Sequence, residues 1–213
     1  MLYSSGTTGR PKGVRYPLER AAMGSRPHEM GMLTAMFGVD RDSVYLSPAP
    51  LYHSAPLFYS MSVMRLGGTV VVMEQFDPEA ALALIERHRV THSQWVPTMF
   101  VRMLKLPEDV RTRYDLSSHR CAIHAAAPCP VETKRKMIEW WGDAIWEYYA
   151  ATEGGGTLVT PEQWLEKPGT VGLPWAISEV KIEPPISVNA CEPVDVSVCT
   201  LENCPDPPAC FER

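Results

Sequence analysis

Residues 3 to 17 read YSSGTTGRPKGVRYP. Glycines let a backbone curl and present its N–H groups, hydroxyls add donors, and a lysine supplies a point charge. Together these meet the needs of a bound phosphate, and Ser4, Ser5, Gly6, Thr7, Thr8, Gly9 and Lys12 supply all of them. The Walker A spacing is absent, because counting from Gly6 puts Pro11 where the second glycine must stand. The string is not G-x-G-x-x-G either. On composition alone, a flexible surface loop accounts for it equally well.

Three further strings carry residues able to do chemistry. PLYHSAP (50–56) holds His53, which in isolation reads as a structural histidine. HAAAPCP (124–130) places three alanines where a flat ring could approach the backbone, or where a strand end packs tightly. EYYAATEGG (147–155) joins two aromatics to a Thr-Glu pair followed by three glycines. No Ser–His–Asp or Cys–His pattern marks a protein nucleophile.

These strings need a frame, and the chain alternates strand-like runs with helical ones. DSVYLSP (42–48), TVVVM (69–73), THSQWV, HRCAIHAAAP and AIWEYYAAT read as strands. SAPLFYSMSVMRL (54–66) reads as a buried helix stopped by Gly67-Gly68. FDPEAALALIERHRV starts with Asp77 as N-cap and Pro78 in the first turn. TMFVRMLKL and PVETKRKMIEWWG, with Pro130 near its start and Gly142 as C-cap, supply two more helices. This rhythm predicts an α/β domain with a largely parallel sheet.

In that frame, YSSGTTGRPKGV closely resembles the phosphate-binding signature of the adenylate-forming superfamily, which comprises acyl-CoA synthetases, aryl-CoA ligases, luciferases and peptide-synthetase adenylation domains. The other strings resemble later markers of the same family, in the order it requires. The resemblance covers residues 1–182. It implies part of the large N-terminal domain of the adenylate-forming fold, a mostly parallel sheet flanked by helices and incomplete at both ends.

Within the superfamily the pattern resembles the central part of an AMP-forming fatty-acyl-CoA synthetase. ATP and a carboxylic acid give an acyl-adenylate and pyrophosphate, and coenzyme A then displaces AMP. The resemblance assigns Ser4 to Gly9 and Lys12 to the phosphates, and Ala125, Ala126 and Ala127 to the adenine edge. Glu147, Tyr148 and Tyr149 fall to the nucleotide site, with Tyr149 stacked on adenine. Thr152 would contact phosphate and Glu153 would hold Mg²⁺, so Lys12, Thr152 and Glu153 form the expected catalytic group. His53, the methionine-rich helix after it and QWVPTMF (94–100), with Trp95, would line the acyl and thiol pocket, or else be core. Tyr148 and Ala150 stand where glycine is common in the family.

The acid is read as a fatty acid. Transfer to a carrier-protein thiol, and a non-catalytic nucleotide-binding remnant, are the alternatives. The net charge of −5, with no Lys/Arg run, argues against nucleic acid. No apolar stretch reaches the roughly 20 residues of a membrane span. A cytoplasmic protein is the default, with peripheral membrane association the alternative.

Residues 183–213 differ from the rest. They hold six prolines, four cysteines and no glycine, with six acidic residues against one arginine. Residues 1–182 carry 19 basic and 19 acidic side chains, so this tail accounts for the whole net charge. It reads as a Pro/Cys-rich, disordered or out-of-frame segment, and Met1 as an internal start. Cys191, Cys199, Cys204 and Cys210 contain no C-x-x-C, which gives a zinc site little support.

Overall fold

The computed structural model of the 213-residue chain describes residues 2–3, 10, 12–15, 28–151, 154–175, 178, 180 and 181. Two short strands, β1 (Leu2–Tyr3) and β2 (Gly13–Val14), pair antiparallel. Then come α1 (His28–Phe37), β3 (Val44–Ser47), α2 (Ser54–Arg65), β4 (Thr69–Val72), α3 (Pro78–His88) and β5 (His92–Trp95). They are followed by α4 (Pro97–Leu104), α5 (Glu108–Arg111), β6 (Cys121–His124), α6 (Val131–Trp141) and a 3₁₀ turn at Gly142–Ala144. β7 (Ile145–Ala151), β8 (Gly154–Val159), α7 (Pro161–Glu166) and β9 (Leu173–Pro174) complete the order.

Seven strands form one sheet in the order β4-β3-β5-β6-β7-β8-β9. The first five are mutually parallel and the last two antiparallel, so the sheet is mostly parallel as the strand–helix rhythm predicts. Every residue of β5 and β6 is buried, as parallel strands covered on both faces require. One face carries α3, α4, α6 and α7, whose Leu82, Ile85, Phe100, Met137 and Trp164 pack with Leu46, Trp95, Ala122 and Ile145. The other carries α1 and α2, whose Leu33, Phe37, Tyr59 and Val63 pack with Tyr45, Cys121 and Ile123. No helix among the described residues is long and apolar enough to cross a membrane.

Local signals hold where the sequence places them. Asp77 Oδ1 accepts from the Ala80 N–H at 2.8 Å, with Pro78 at the first helical position of α3. α2 ends as Gly67 and Gly68 predict. Gly67, at φ +90°, donates to Met64 O at 3.1 Å, and Gly68 to Val63 O at 3.0 Å, the paired bonds of a Schellman cap.

Other elements carry no sequence expectation: α1, α5, β8 and α7. The glycines of Gly154–Val159 mask a strand, and close approach explains them. A Cβ on Gly156 would stand 2.6 Å from the Tyr149 carbonyl of the neighbouring strand. Gly172 is tighter still, with φ +89° and a virtual Cβ 1.9 Å from the Leu158 carbonyl. Gly172→Ala therefore clashes with backbone and strains φ together. Urea unfolding is expected to register a loss of about 3 kcal/mol or more, and a loss below 1 kcal/mol would contradict this packing.

Three histidines are enclosed by the sheet. His92 Nε2 donates to the Phe37 carbonyl at 2.9 Å, and His119 Nε2 shares a 2.6 Å hydrogen bond with Ser93 Oγ. His124 is fully buried against Phe100. Burial holds all three rings below the ordinary histidine range, His119 at about 3. The unfolded chain, with histidines near 6.5, then binds more protons in mild acid than the folded one. Stability is full above pH 6.5 and falls as pH drops from 6.5 toward 3. Unfolding at pH 5.5 is expected to be easier than at pH 7.5, by up to about 1.4 kcal/mol per pH unit for each histidine, with a shallower slope in His119→Asn.

Candidate functional site

β3, β5, β6 and β7 run parallel, so their carboxyl ends lie along one edge of the sheet. From β3 the chain moves outward to β4, then crosses to β5 and continues through β6 and β7 in the other direction. Such a reversal of strand order leaves a crevice at the carboxyl ends, where open α/β sheets bind ligands. His53, Ala125–Ala127 and Tyr149 all follow or end strands at this edge.

Ala125 is buried and its N–H reaches the Trp95 carbonyl at 3.3 Å. Ala126 is exposed and left-handed, with φ +75°, and Ala127 is exposed beside it. On the adjacent strand the Tyr149 ring is 66% exposed. A small-residue turn and an open aromatic ring on neighbouring strand ends make a shelf suited to a flat base. His53 is the N-cap residue of α2 and is exposed, makes no side-chain cap, and has the Tyr52 ring 4.5 Å away. Lys12 is exposed just before β2. Ser4, Ser5, Gly6, Thr7, Thr8, Gly9, Thr152 and Glu153 lie outside the described residues.

Three expectations need correction. Glu147 does not face the open edge. Side chains alternate along β7, so Tyr148 turns toward α2 and Glu147 turns beneath α6, 8% exposed, with its Oε2 2.5 Å from Lys134 Nζ. Tyr148 stands apart from Tyr149 for the same reason. Gln94 Nε2 donates to its hydroxyl at 2.9 Å, its ring stacks 6.2 Å from Tyr59, and burial pushes the phenol up to about 12. Trp95 is core: 1% exposed, edge-on to Phe76 and Trp141, on the face opposite α2 and therefore away from His53. On α2, Met61 and Met64 point outward, and Tyr59 and Val63 fill the inner face.

Lys134 is the site-proximal residue that the sequence reading missed. It is fully buried, with its ammonium 5.1 Å from the Trp164 ring centroid. Burial pushes this ammonium down and the Glu147 carboxyl up, and each charge opposes the shift of the other. Its signal lay in the helix period, since Lys134 falls on the stripe of Val131, Ile138 and Trp141.

Nucleophilic alternatives are poor. Ser93 and His119 have the spacing of a nucleophile and base, but both are buried and Ser93 Oγ also accepts from Trp95 Nε1 at 2.6 Å. Burial pushes the Cys129 thiol up to about 12 and the Cys121 thiol well up, so neither is a thiolate near neutrality. A groove of about 690 Å³ is lined only by α4, α5, α6 and their caps, away from the strand ends.

The family model for AMP-binding enzymes matches residues 1–189, extending past the boundary drawn at 182. The 2-succinylbenzoate–CoA ligase of Bacillus pumilus is 33% identical over 185 residues, covering 86% of this chain and 36% of that protein. The long-chain-fatty-acid–CoA ligase of Bacillus subtilis is 29% identical over 184 residues, 85% of this chain and 32% of that one. The structure of O-succinylbenzoate coenzyme A synthetase from Bacillus subtilis in complex with AMP superposes with a TM-score of 0.72 at 29% identity, over 91% of this chain and 38% of that one. The same enzyme with ATP and a magnesium ion gives 0.69. The chain thus spans about a third of the length of the relatives it matches. With its mostly parallel sheet, its strand-end shelf and this match, the chain belongs to the AMP-binding enzyme family.

Proposed function

We propose that this chain is the nucleotide-binding portion of an AMP-forming acid–thiol ligase, which joins a carboxylic acid to coenzyme A through an acyl-adenylate. The observation that carries the reading is that Ala125–Ala127, with the left-handed Ala126, and the exposed Tyr149 come just after the paired residues His124 and Glu147 of adjacent parallel strands, beside the strand-order reversal. Adenine rests between them. The backbone amides and hydroxyls of Ser4 to Gly9, with Lys12, bind the phosphates as the charge of the departing pyrophosphate builds. Thr152 orients the α-phosphate for attack by the carboxylate.

Mg²⁺ fits through the chemistry of its donors: Glu153 offers a carboxylate and the nucleotide its own phosphate oxygens, the hard ligands this ion prefers. No cluster of three His, Cys, Asp or Glu among the described residues offers a rival metal site. When bound, the ion neutralises phosphate charge. His53 stands where acid and thiol meet. The acid is a fatty acid in the finer reading; the named relatives act on a long-chain fatty acid in one case and 2-succinylbenzoate in the other. A nucleotide-binding module without turnover is the alternative reading.

Calorimetry with AMP and a pyrophosphate-exchange assay separate these readings. The chain is expected to bind AMP. Loss of the stacked ring in Tyr149→Ala should weaken binding about fivefold to 100-fold, the equivalent of about 1–3 kcal/mol of base stacking. Exchange with a fatty acid present supports the full ligase reading, and AMP binding without exchange supports the module. Unchanged affinity in Tyr149→Ala would show that adenine does not stack on this ring.

A further inference from the structure

The turn that follows β6 is held from both ends. Before it, Ala125 N–H is tied to the Trp95 carbonyl at 3.3 Å. After it, Lys134, one turn into α6, reaches Glu147 Oε2 at 2.5 Å. Glu147 is the β7 register partner of His124, the last residue of β6, whose Nε2 lies 3.5 Å from the same carboxylate oxygen. One buried carboxylate therefore stands beside both stems of residues 125–130. Between the stems sits Ala126, left-handed at φ +75°, a conformation an alanine keeps only where its surroundings hold it. No role in the proposed chemistry uses Lys134, Glu147 or His124.

A buried ion pair is a poor source of net stability, because desolvating both charges offsets their attraction. What it supplies is direction: the charged hydrogen bond fixes both the distance and the angle between α6 and β7. We propose that the Lys134–Glu147 pair is a positioning device that holds Ala126 left-handed, and so presets the 125–127 turn against Tyr149 for a purine ring. This inference rests on the nucleotide-site reading above. It differs from a packing role in one respect. Glycine adopts φ > 0 without steric penalty, so glycine at 126 should make the clasp dispensable for the turn.

The test compares the unmodified 213-residue chain with Glu147→Gln, Ala126→Gly and the combination. AMP affinity is read by calorimetry, exchange of the Ala125 amide by NMR, and thermal midpoint by circular dichroism. Glu147→Gln is expected to weaken AMP binding at least tenfold and to speed Ala125 exchange. Adding Ala126→Gly should restore most of the affinity and the slow exchange while the midpoint stays at the Glu147→Gln value. Should Glu147→Gln not fold, the apolar pair Lys134→Met with Glu147→Leu, which removes both charges, serves in its place.

Affinity within twofold of the unmodified chain, or no recovery on adding Ala126→Gly, overturns the inference. If the unmodified chain takes up no AMP, the nucleotide reading fails. The positioning role is then decided by Ala125 exchange alone: faster in the clasp variant and slowed again by Ala126→Gly in support, unchanged against.

Discussion

The register of three parallel strands is the constraint on which the rest of this structure depends. Trp95 of β5 pairs with His124 of β6, and His124 with Glu147 of β7. These residues point to the α6 face, so Gln94, Ile123 and Tyr148 point to the α2 face. A slip of one residue in β7 would carry Glu147 under α2 and leave Lys134 buried without a counter-charge. That penalty disfavours the slipped register. Because the strands are parallel, the order also sets which loops share an edge, and it puts the segments around His53, Ala126 and Tyr149 on the same edge of the sheet.

The two faces divide the work. Beneath the edge, α4, α6 and α7 enclose a layer of Trp95, Phe100, Trp141 and Trp164, with the Lys134–Glu147 pair set into it. On the other face, α2 brings Tyr59 between Tyr45 and Tyr148, with ring centroids 6.2 Å apart on either side. Large rings in fixed rotamers make both layers stiff.

The sheet changes character after β7. Gly156 and Gly172 let β8 and β9 approach their neighbours more closely than any side chain would allow, and the pairing turns antiparallel. The β7–β8 register shifts between Ala150 and Ala151, the irregularity of a β-bulge, and Ala151 then pairs with Gly154.

Much of this was legible in the sequence, because it rests on local chemistry. Asp77-Pro78 starts a helix through a cap and a preset φ, Gly67-Gly68 ends one through left-handed backbone, and β-branched runs form strands. None of these needs distant partners. The glycine-rich strand β8 was not legible, since its glycines answer to the carbonyls of neighbouring strands rather than to any turn of their own. The site divides in the same way. The residue strings around His53, Ala125–Ala127 and Tyr149 were legible as chemistry. The sidedness of Glu147, Tyr148 and Trp95 was not. Alternation along a strand says that neighbours face opposite ways, but only the packed helices decide which way is toward the ligand and which is toward a buried lysine.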